Sequence, residues 1–417
     1  MEKVFASIIT IGDELLIGQV VDTNSAWIGQ ELNKCGITVG HRVAVGDVWD
    51  DIWEALDAES KRAAVILITG GLGPTADDIT KPLLCKYFNG KMVVHEPTLI
   101  RIKAFFEKLN RPMLESNNRQ AEVPDVCKVL LNERGTAPGM LFEREGKIFI
   151  SLPGVPHEMK WIMENHVIPM IPELFNTGFI EHRTLLTAGI GESYLAEMIK
   201  AEEAALPGHI KLAYLPNSGM VRLRLSGFGS DKTILQQEVA QQFETLKQRV
   251  AEYLVTDEDI PMELVVGQLL KSKNKTVATA ESCTGGYIAH LLSLHPGSST
   301  WYTGSVVSYD NLIKQKLLGV SKETLETVGA VSEETVTQMA KAVLAVMGTD
   351  FAIAVSGIMG PGGATPEKPV GMVWVAIAGK EKVITRLFNF RYTRIRNIEL
   401  TAINALNILR AFIVDNG

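Results

Sequence analysis

Cysteine and histidine are scarce in this chain: 417 residues hold four cysteines and eight histidines. The cysteines (Cys35, Cys85, Cys127, Cys283) stand far apart, with no CxxC pair and no histidine cluster at zinc spacing. This argues against a disulfide scaffold or a structural zinc site and fits a reducing cytoplasm. Positive charge is not in excess either. Lys and Arg number 41 against 48 Asp and Glu, a formal net charge of −7. A general nucleic-acid binder needs a basic surface to neutralise phosphates, so nucleic acid is not an expected partner. A local basic site for one small phosphorylated ligand stays compatible with that charge. No apolar run looks long enough to span a bilayer, so no membrane partner is expected. The opening Met1-Glu2-Lys3 leads into a strand-sized run that stops at Gly12, unlike a signal peptide.

What is present is an ordinary globular composition, 46% hydrophobic and 21% charged, in a chain too long for one core. The length suggests about two or three domains, and three blocks can be traced. In residues 1–175, strand-like runs at 4–11, 38–45 and 64–69 alternate with helical patterns at 24–35 and 52–62. Such alternation implies a mostly parallel sheet with sites at the strand carboxyl ends. Residues 180–255 read as β-α-β-β-α: strands at 183–188, 210–214 and 220–228, helices at 194–205 and 231–254. This resembles a KH-type module without a basic GxxG loop, so it reads as a linker or dimerisation element, with a homodimer expected, and not as an RNA reader. Residues 260–417 carry helices at 262–272, 287–294, 311–318, 333–346 and 395–413. Their strands fall before Ser282 and at 305–309, 351–355, 371–378 and 383–390.

The richest stretch is Thr276-Val277-Ala278-Thr279-Ala280-Glu281-Ser282-Cys283-Thr284-Gly285-Gly286. A β-branched apolar run breaks into hydroxyls, a thiol and two glycines, and a helical pattern follows: strand, turn, helix. The turn would set Ser282 at a helix N-terminus, whose unpaired N–H groups favour the oxyanion that a nucleophile creates. Serine needs a base, and no histidine of this block is paired with an Asp in a local motif. A desolvated lysine could serve, and Ser308-Tyr309-Asp310-Asn311-Leu312-Ile313-Lys314 places one near a strand-to-helix junction. The residues alone do not separate Lys314 from Lys316. Ser356-Gly357-Ile358-Met359-Gly360-Pro361-Gly362-Gly363 holds four glycines in eight residues, which lets backbone approach a phosphate or oxyanion. Arg394 or Arg396 could pair with a phosphate.

These motifs, with Gly329-Ala330-Val331-Ser332 and Lys368-Pro369-Val370-Gly371, resemble the C-terminal domain of the CinA family, an α/β amidohydrolase domain. The resemblance implies hydrolysis of nicotinamide mononucleotide (NMN) to nicotinic acid mononucleotide and ammonia, without a cofactor. It implies Ser282 as nucleophile, Lys314 as its base, and Tyr309 and Asn311 beside them. Cys283, Thr284, Gly285, Ser356, Gly357 and Arg394 would contact the nucleotide.

In the first block, Thr69-Gly70-Gly71-Leu72-Gly73-Pro74-Thr75-Ala76-Asp77-Asp78-Ile79-Thr80 follows an apolar strand. Its glycines could wrap an anionic group while Asp77 and Asp78 hold a divalent cation. Asp13, Glu14, Asp22 and Asp47 are further acidic candidates, and Leu152-Pro153-Gly154-Val155-Pro156 is a second tight turn. These segments resemble the molybdenum-cofactor-biosynthesis (MoCF) α/β domain in its CinA-fused form. The resemblance implies a metal-dependent ADP-ribose pyrophosphatase, with Gly70, Gly71, Gly73, Pro153 and Gly154 on the substrate and Asp78, Asp77 and Asp13 on the metal. The alternative is a molybdopterin-binding or competence- and DNA-damage-associated accessory protein with one or both sites vestigial.

Overall fold

The computed structural model describes residues 3–75 and 77–416. Its contacts divide into two units, Met1–Glu181 with Gly227–Glu238, and His182–Ser226 with Val239–Gly417.

The first unit is built on strands β1 (Phe5–Ile11), β2 (Thr38–Val45), β3 (Val65–Thr69), β4 (Lys128–Leu130), β5 (Gly139–Arg144) and β6 (Lys147–Leu152), in the order β2-β1-β3-β6-β5-β4. The pairs β1–β2, β1–β3 and β3–β6 are parallel, and β5 and β4 complete the sheet antiparallel. Parallel strands covered on both faces must be apolar at nearly every position. Ala6, Ile8, Val65, Leu67, Ile148 and Ile150 enter one core with Ile28 and Leu32 of helix α1 (Thr23–Lys34). Ile9, Ile11, Ile66, Ile68 and Phe149 enter the other, with residues of α2 (Trp49–Ser60) and α3 (Thr80–Tyr87). Strands pinned from both sides bring the turns after β1, β3 and β6 to one edge of the sheet.

The KH-type sheet runs β8-β9-β7-β10, from β7 (Phe179–Ala188), β8 (Ile210–Asn217), β9 (Met220–Gly229) and β10 (Leu254–Thr256). The helix expected over 231–254 is shorter: α4 (Lys232–Arg249) stops, and the chain goes on to pair as β10 against β7. The helix expected at 194–205 breaks at Ile199 into Glu192–Met198 and Lys200–Ala204. Leu186, Ala188 and Met220 of this module lie in one hydrophobic cluster with residues of the third block. It therefore shares a core with that block.

The third block follows with α5 (Met262–Ser272), β11 (Val277–Glu281), α6 (Tyr287–Ser293), β12 (Tyr302–Val307), α7 (Asn311–Leu318), α8 (Glu333–Met347), β13 (Phe351–Gly357), β14 (Met372–Gly379), β15 (Val383–Asn389) and α9 (Arg394–Asn416). The sheet order is β12-β11-β13-β14-β15, parallel through β13 and antiparallel beyond it. Side chains alternate in size along the strands. Ala278, Ala352 and Ala378 align across three strands, as do Ala280, Ala354 and Ala376. This alanine face lets α8 pack closely through Val336, Met339, Ala340 and Val343. The bulkier Val277, Ile353, Val355, Val373, Val375 and Ile377 face α5 and α9. The strand expected at 305–309 is shifted to Tyr302–Val307, because Asp310 caps α7 and the chain must leave the ladder first. The expectation that no segment could span a bilayer differs at α9. That helix is long and apolar enough by length and composition, and half of its apolar window is buried inside the protein.

Gly267 of α5 shows how tightly this core closes: a Cβ there would lie 2.6 Å from the ring of the buried Trp301. In an open helix, Gly→Ala stabilises by about 1 kcal/mol. Here overpacking, at about 1–3 kcal/mol, reverses the sign. Gly267→Ala is expected to lower the unfolding midpoint in denaturant titration, and a raised midpoint would mean that the Trp301 contact yields easily.

Candidate functional site

Ser282 follows the last residue of β11, and its N–H stays bound to the Val355 carbonyl at 3.1 Å. Beside it, past the end of β12, the Asp310 side chain caps α7 by accepting from Leu312 N–H at 2.7 Å. One turn into α7, Lys314 points inward and is 1% exposed. Its Nζ lies 3.0 Å from Ser282 Oγ and donates to the Ser308 carbonyl at 2.8 Å and the Tyr309 carbonyl at 3.4 Å. Burial holds the amine below the ordinary lysine range. A neutral amine has two N–H donors, which the two carbonyls can take, leaving its lone pair for the serine hydroxyl proton. Lys316 is exposed, so the geometry separates the two lysines. The neighbouring Cys283 thiol is pushed up to about 12 by burial. It stays protonated and is a poor nucleophile.

A cavity of 230 Å³ opens over this pair, lined by Ser282, Cys283, Tyr309, Asn311, Lys314, Ala330, Val331, Ser356, Gly357, Met359 and Arg394. Ser356 Oγ donates to the Ala330 carbonyl at 2.6 Å, tying the end of β13 to the loop that forms one wall. Arg394 donates to the Gly360 carbonyl and to the Tyr309 hydroxyl, both at 2.9 Å. Those bonds use two of the five guanidinium N–H donors. Arg396 turns elsewhere, to Ser218 Oγ at 2.8 Å and Glu399 at 3.0 Å. His290 and His295 do not line this cavity.

Two expectations about the turn are corrected. Thr284 and Gly285 do not line the Ser282 cavity; they border a neighbouring, mostly apolar one of 380 Å³. The Thr284 hydroxyl instead donates to Glu281 at 2.7 Å. Nor does the start of α6 offer free N–H groups to an oxyanion. The Glu281 carboxylate, 0% exposed, accepts from the N–H groups of Gly286 (3.1 Å), Ile288 (3.0 Å) and Ala289 (2.7 Å). Sequence reasoning missed Glu281, together with Ala330, Val331 and Met359. A signal for Glu281 was available, since it is the one charged residue in the strand Val277–Glu281.

In the first unit, Gly70, Gly71, Pro153 and Gly154 come together at the carboxyl ends of the adjacent strands β3 and β6. Asn24 Nδ2 donates to the Gly154 carbonyl at 2.7 Å, and Thr69 Oγ1 to the Pro153 carbonyl at 3.0 Å. Gly70 has φ +115°, and a Cβ there would lie 2.2 Å from the Ile11 carbonyl oxygen; only glycine lets the turn pass so close to β1. The Thr80 hydroxyl oxygen and Asn24 Oδ1 are buried without a hydrogen-bond partner.

The metal implied by the resemblance does not fit the carboxylates as they stand. Asp78 accepts from Gly73 N–H and Thr75 N–H, each at 2.8 Å, and from the Thr75 hydroxyl. It braces its own loop and is not held free for an ion. Asp13 and Asp47 accept from each other's N–H groups, both at 3.2 Å. The Asp47 carboxyl is raised by burial and then by the charges of Asp13, Glu14 and Asp77. Among the described residues, no three His, Cys, Asp or Glu side chains gather to hold an ion.

Comparison with known proteins gives three consecutive matches. Residues 7–173 match a family described as "Probable molybdopterin binding domain", residues 182–256 the damage-inducible protein CinA KH domain, and residues 259–413 the CinA C-terminal domain. A CinA-like protein of Cytophaga hutchinsonii is 47% identical over 407 residues, covering 98% of this chain and 97% of the relative. Another, from Flavobacterium psychrophilum, is 43% identical over 413 residues, covering 99% of each. Among solved structures, competence/damage inducible protein CihA from Agrobacterium tumefaciens is 39% identical, with a TM-score of 0.36, over 36% of this chain and 92% of that one. The chain belongs to the CinA family, with MoCF-like, KH and CinA C-terminal domains in that order.

Proposed function

We propose that the C-terminal domain is an amidohydrolase that converts NMN to nicotinic acid mononucleotide and ammonia, with Ser282 as nucleophile and Lys314 as general base. The observation that carries the reading is the buried contact of 3.0 Å between Lys314 Nζ and Ser282 Oγ. Serine is a weak nucleophile at neutral pH until a neighbouring base takes its proton. Ser282 Oγ attacks the carboxamide carbon while Lys314 Nζ accepts the hydroxyl proton. The tetrahedral intermediate collapses, Lys314 returns the proton to the departing nitrogen, and ammonia leaves a nicotinoyl ester on Ser282. Water, deprotonated by Lys314, then cleaves the ester, and the proton returns to Ser282. The unused donors of Arg394 suit the 5′-phosphate, and Tyr309 would hold that guanidinium at the cavity mouth. No cofactor enters this scheme.

Ammonia release from NMN by the purified protein, with nicotinamide riboside alongside, tests the substrate and its phosphate. Ser282→Ala and Lys314→Met are each expected to lose at least ~10²-fold in rate, the scale for deleting a nucleophile or its base. Lys316→Met should be silent. Retention of several per cent of the rate in a folded Ser282→Ala variant would remove Ser282 from its role.

The pH profile follows from the same burial. Only neutral Lys314 can take the serine proton, so kcat/KM should rise as pH climbs through its pKa and level off above it. Because burial lowers that pKa, the inflection should lie below that of an ordinary lysine. A rate that falls across this interval would contradict the base assignment.

For the N-terminal domain we propose a site for a phosphorylated ligand, ADP-ribose in the first instance. Two buried, unpartnered oxygens favour this reading. The Thr80 hydroxyl can donate to a phosphate, and Asn24 Oδ1 can accept from a ribose hydroxyl. With Asp78 as a loop brace, Asp78→Ala should weaken ADP-ribose binding by about tenfold or more, about 1.4 kcal/mol, and spare NMN deamidation. Calorimetry gives the affinity; formation of AMP and ribose 5-phosphate with and without divalent cation shows whether turnover needs a metal. Tight molybdopterin binding with no turnover would favour the accessory role instead.

A further inference from the structure

We propose that Glu281 is a positioning residue for the Ser282–Lys314 pair, an inference that rests on the deamidase reading above. Its buried carboxylate accepts from five donors. Thr284 Oγ1 (2.7 Å) and the N–H groups of Gly286 (3.1 Å) and Ile288 (3.0 Å) reach one oxygen, and Ala289 N–H (2.7 Å) and Thr279 Oγ1 (3.2 Å) the other. Charge-assisted bonds of this kind, at the positive end of a helix, are what make a carboxylate tolerable so far from water.

The arrangement has two consequences for the nucleophile. Glu281 belongs to β11, and four of its five donors lie in the following turn (Thr284, Gly286) and at the start of α6 (Ile288, Ala289), so the carboxylate ties strand to helix and closes the short turn that carries Ser282. The same bonds occupy the N–H groups of Gly286, Ile288 and Ala289. Ser282 N–H is held by the Val355 carbonyl, Gly285 N–H by the Ser282 carbonyl and Tyr287 N–H by the Thr284 carbonyl. Outside these bonds stands the N–H group of Cys283, next in the chain to the nucleophile and part of the lining of its cavity. In this proposal it is the donor that meets the carbonyl oxygen as it gains charge. Glutamine nearly matches the shape of glutamate, but it sets an NH2 group against N–H donors and removes the charge.

The test compares wild type, Glu281→Gln, Thr284→Val and the control Ser282→Ala by thermal unfolding, by kcat and KM for NMN, and by the rate of Ser282 labelling with a fluorophosphonate. Glu281→Gln should lower kcat and labelling by about ten- to a hundredfold, the scale of lost hydrogen bonds to a charged group, with KM essentially unchanged. Thr284→Val, which removes one donor, should lower both by about three- to tenfold; it decides the matter if Glu281→Gln does not fold. Unchanged kcat and labelling in a folded variant, or a rise in KM alone, would overturn the proposal. If wild type labels at Ser282 but releases no ammonia from NMN, the substrate reading fails while the labelling rates still judge Glu281. Absence of both activities in wild type overturns the two together.

Discussion

The chemistry proposed for the C-terminal site depends on keeping one lysine amine out of water. An exposed lysine is protonated near neutrality and cannot accept a proton; burial disfavours the charged form and makes the amine a base. Lys314 is 1% exposed, and the groups that satisfy it are two backbone carbonyls and the serine hydroxyl. Those carbonyls belong to Ser308 and Tyr309, in the segment between β12 and the Asp310 cap of α7. Where β12 stops and where α7 starts therefore set the position of the base in the proposed reaction.

The scaffold makes that junction rigid by packing on both sides of the sheet. Alanines aligned across β11, β13 and β14 bring α8 close on one face. Larger aliphatic residues hold α5 and α9 on the other. The parallel strands β11, β12 and β13 end together, and the cavity forms where their following loops meet the start of α9. The first unit repeats the principle with a different sheet: strands buried on both faces set the turns after β3 and β6 against each other. Loops positioned by a two-sided core can hold polar groups to tight tolerances.

Carboxylates in both domains act on the backbone before any ligand is considered. Glu281 gathers the N–H groups at the start of α6, and Asp78 gathers those of Gly73 and Thr75. An acidic residue beside a glycine turn suggests a metal ligand or a catalytic acid when read in isolation. In this fold the glycines bend the chain, and the acid ties down the donors that the bend exposes. The groups that remain for the proposed ligands are the hydroxyls, amides and other N–H groups nearby: Ser282 and Arg394 in one domain, Thr80 and Asn24 in the other.

The sequence by itself determined most of the order of strands and helices in residues 4–69 and 183–413, because period-2 and period-3.6 patterns and glycine turns are local properties of the chain; the short strands Lys128–Leu130 and Gly139–Arg144 carried no such signal. It also determined which turns are special, since the segment around Ser282, the glycine run after Ser356 and the double-glycine turn after Thr69 stand out by composition alone. The partners of those turns were decided by tertiary structure. Lys314 and Lys316 lie on the same short helix, and only packing shows that one is buried against Ser282 and the other faces solvent. Arg394 and Arg396 are likewise equivalent on paper, yet a half-turn of helix sends one to the cavity and the other to Ser218. Thr284 and Asp78 looked like ligand contacts because sequence shows which groups are polar and not where their hydrogen bonds go. That assignment depends on which backbone donors the fold leaves unpaired, and these are known only once every strand and helix end is in place.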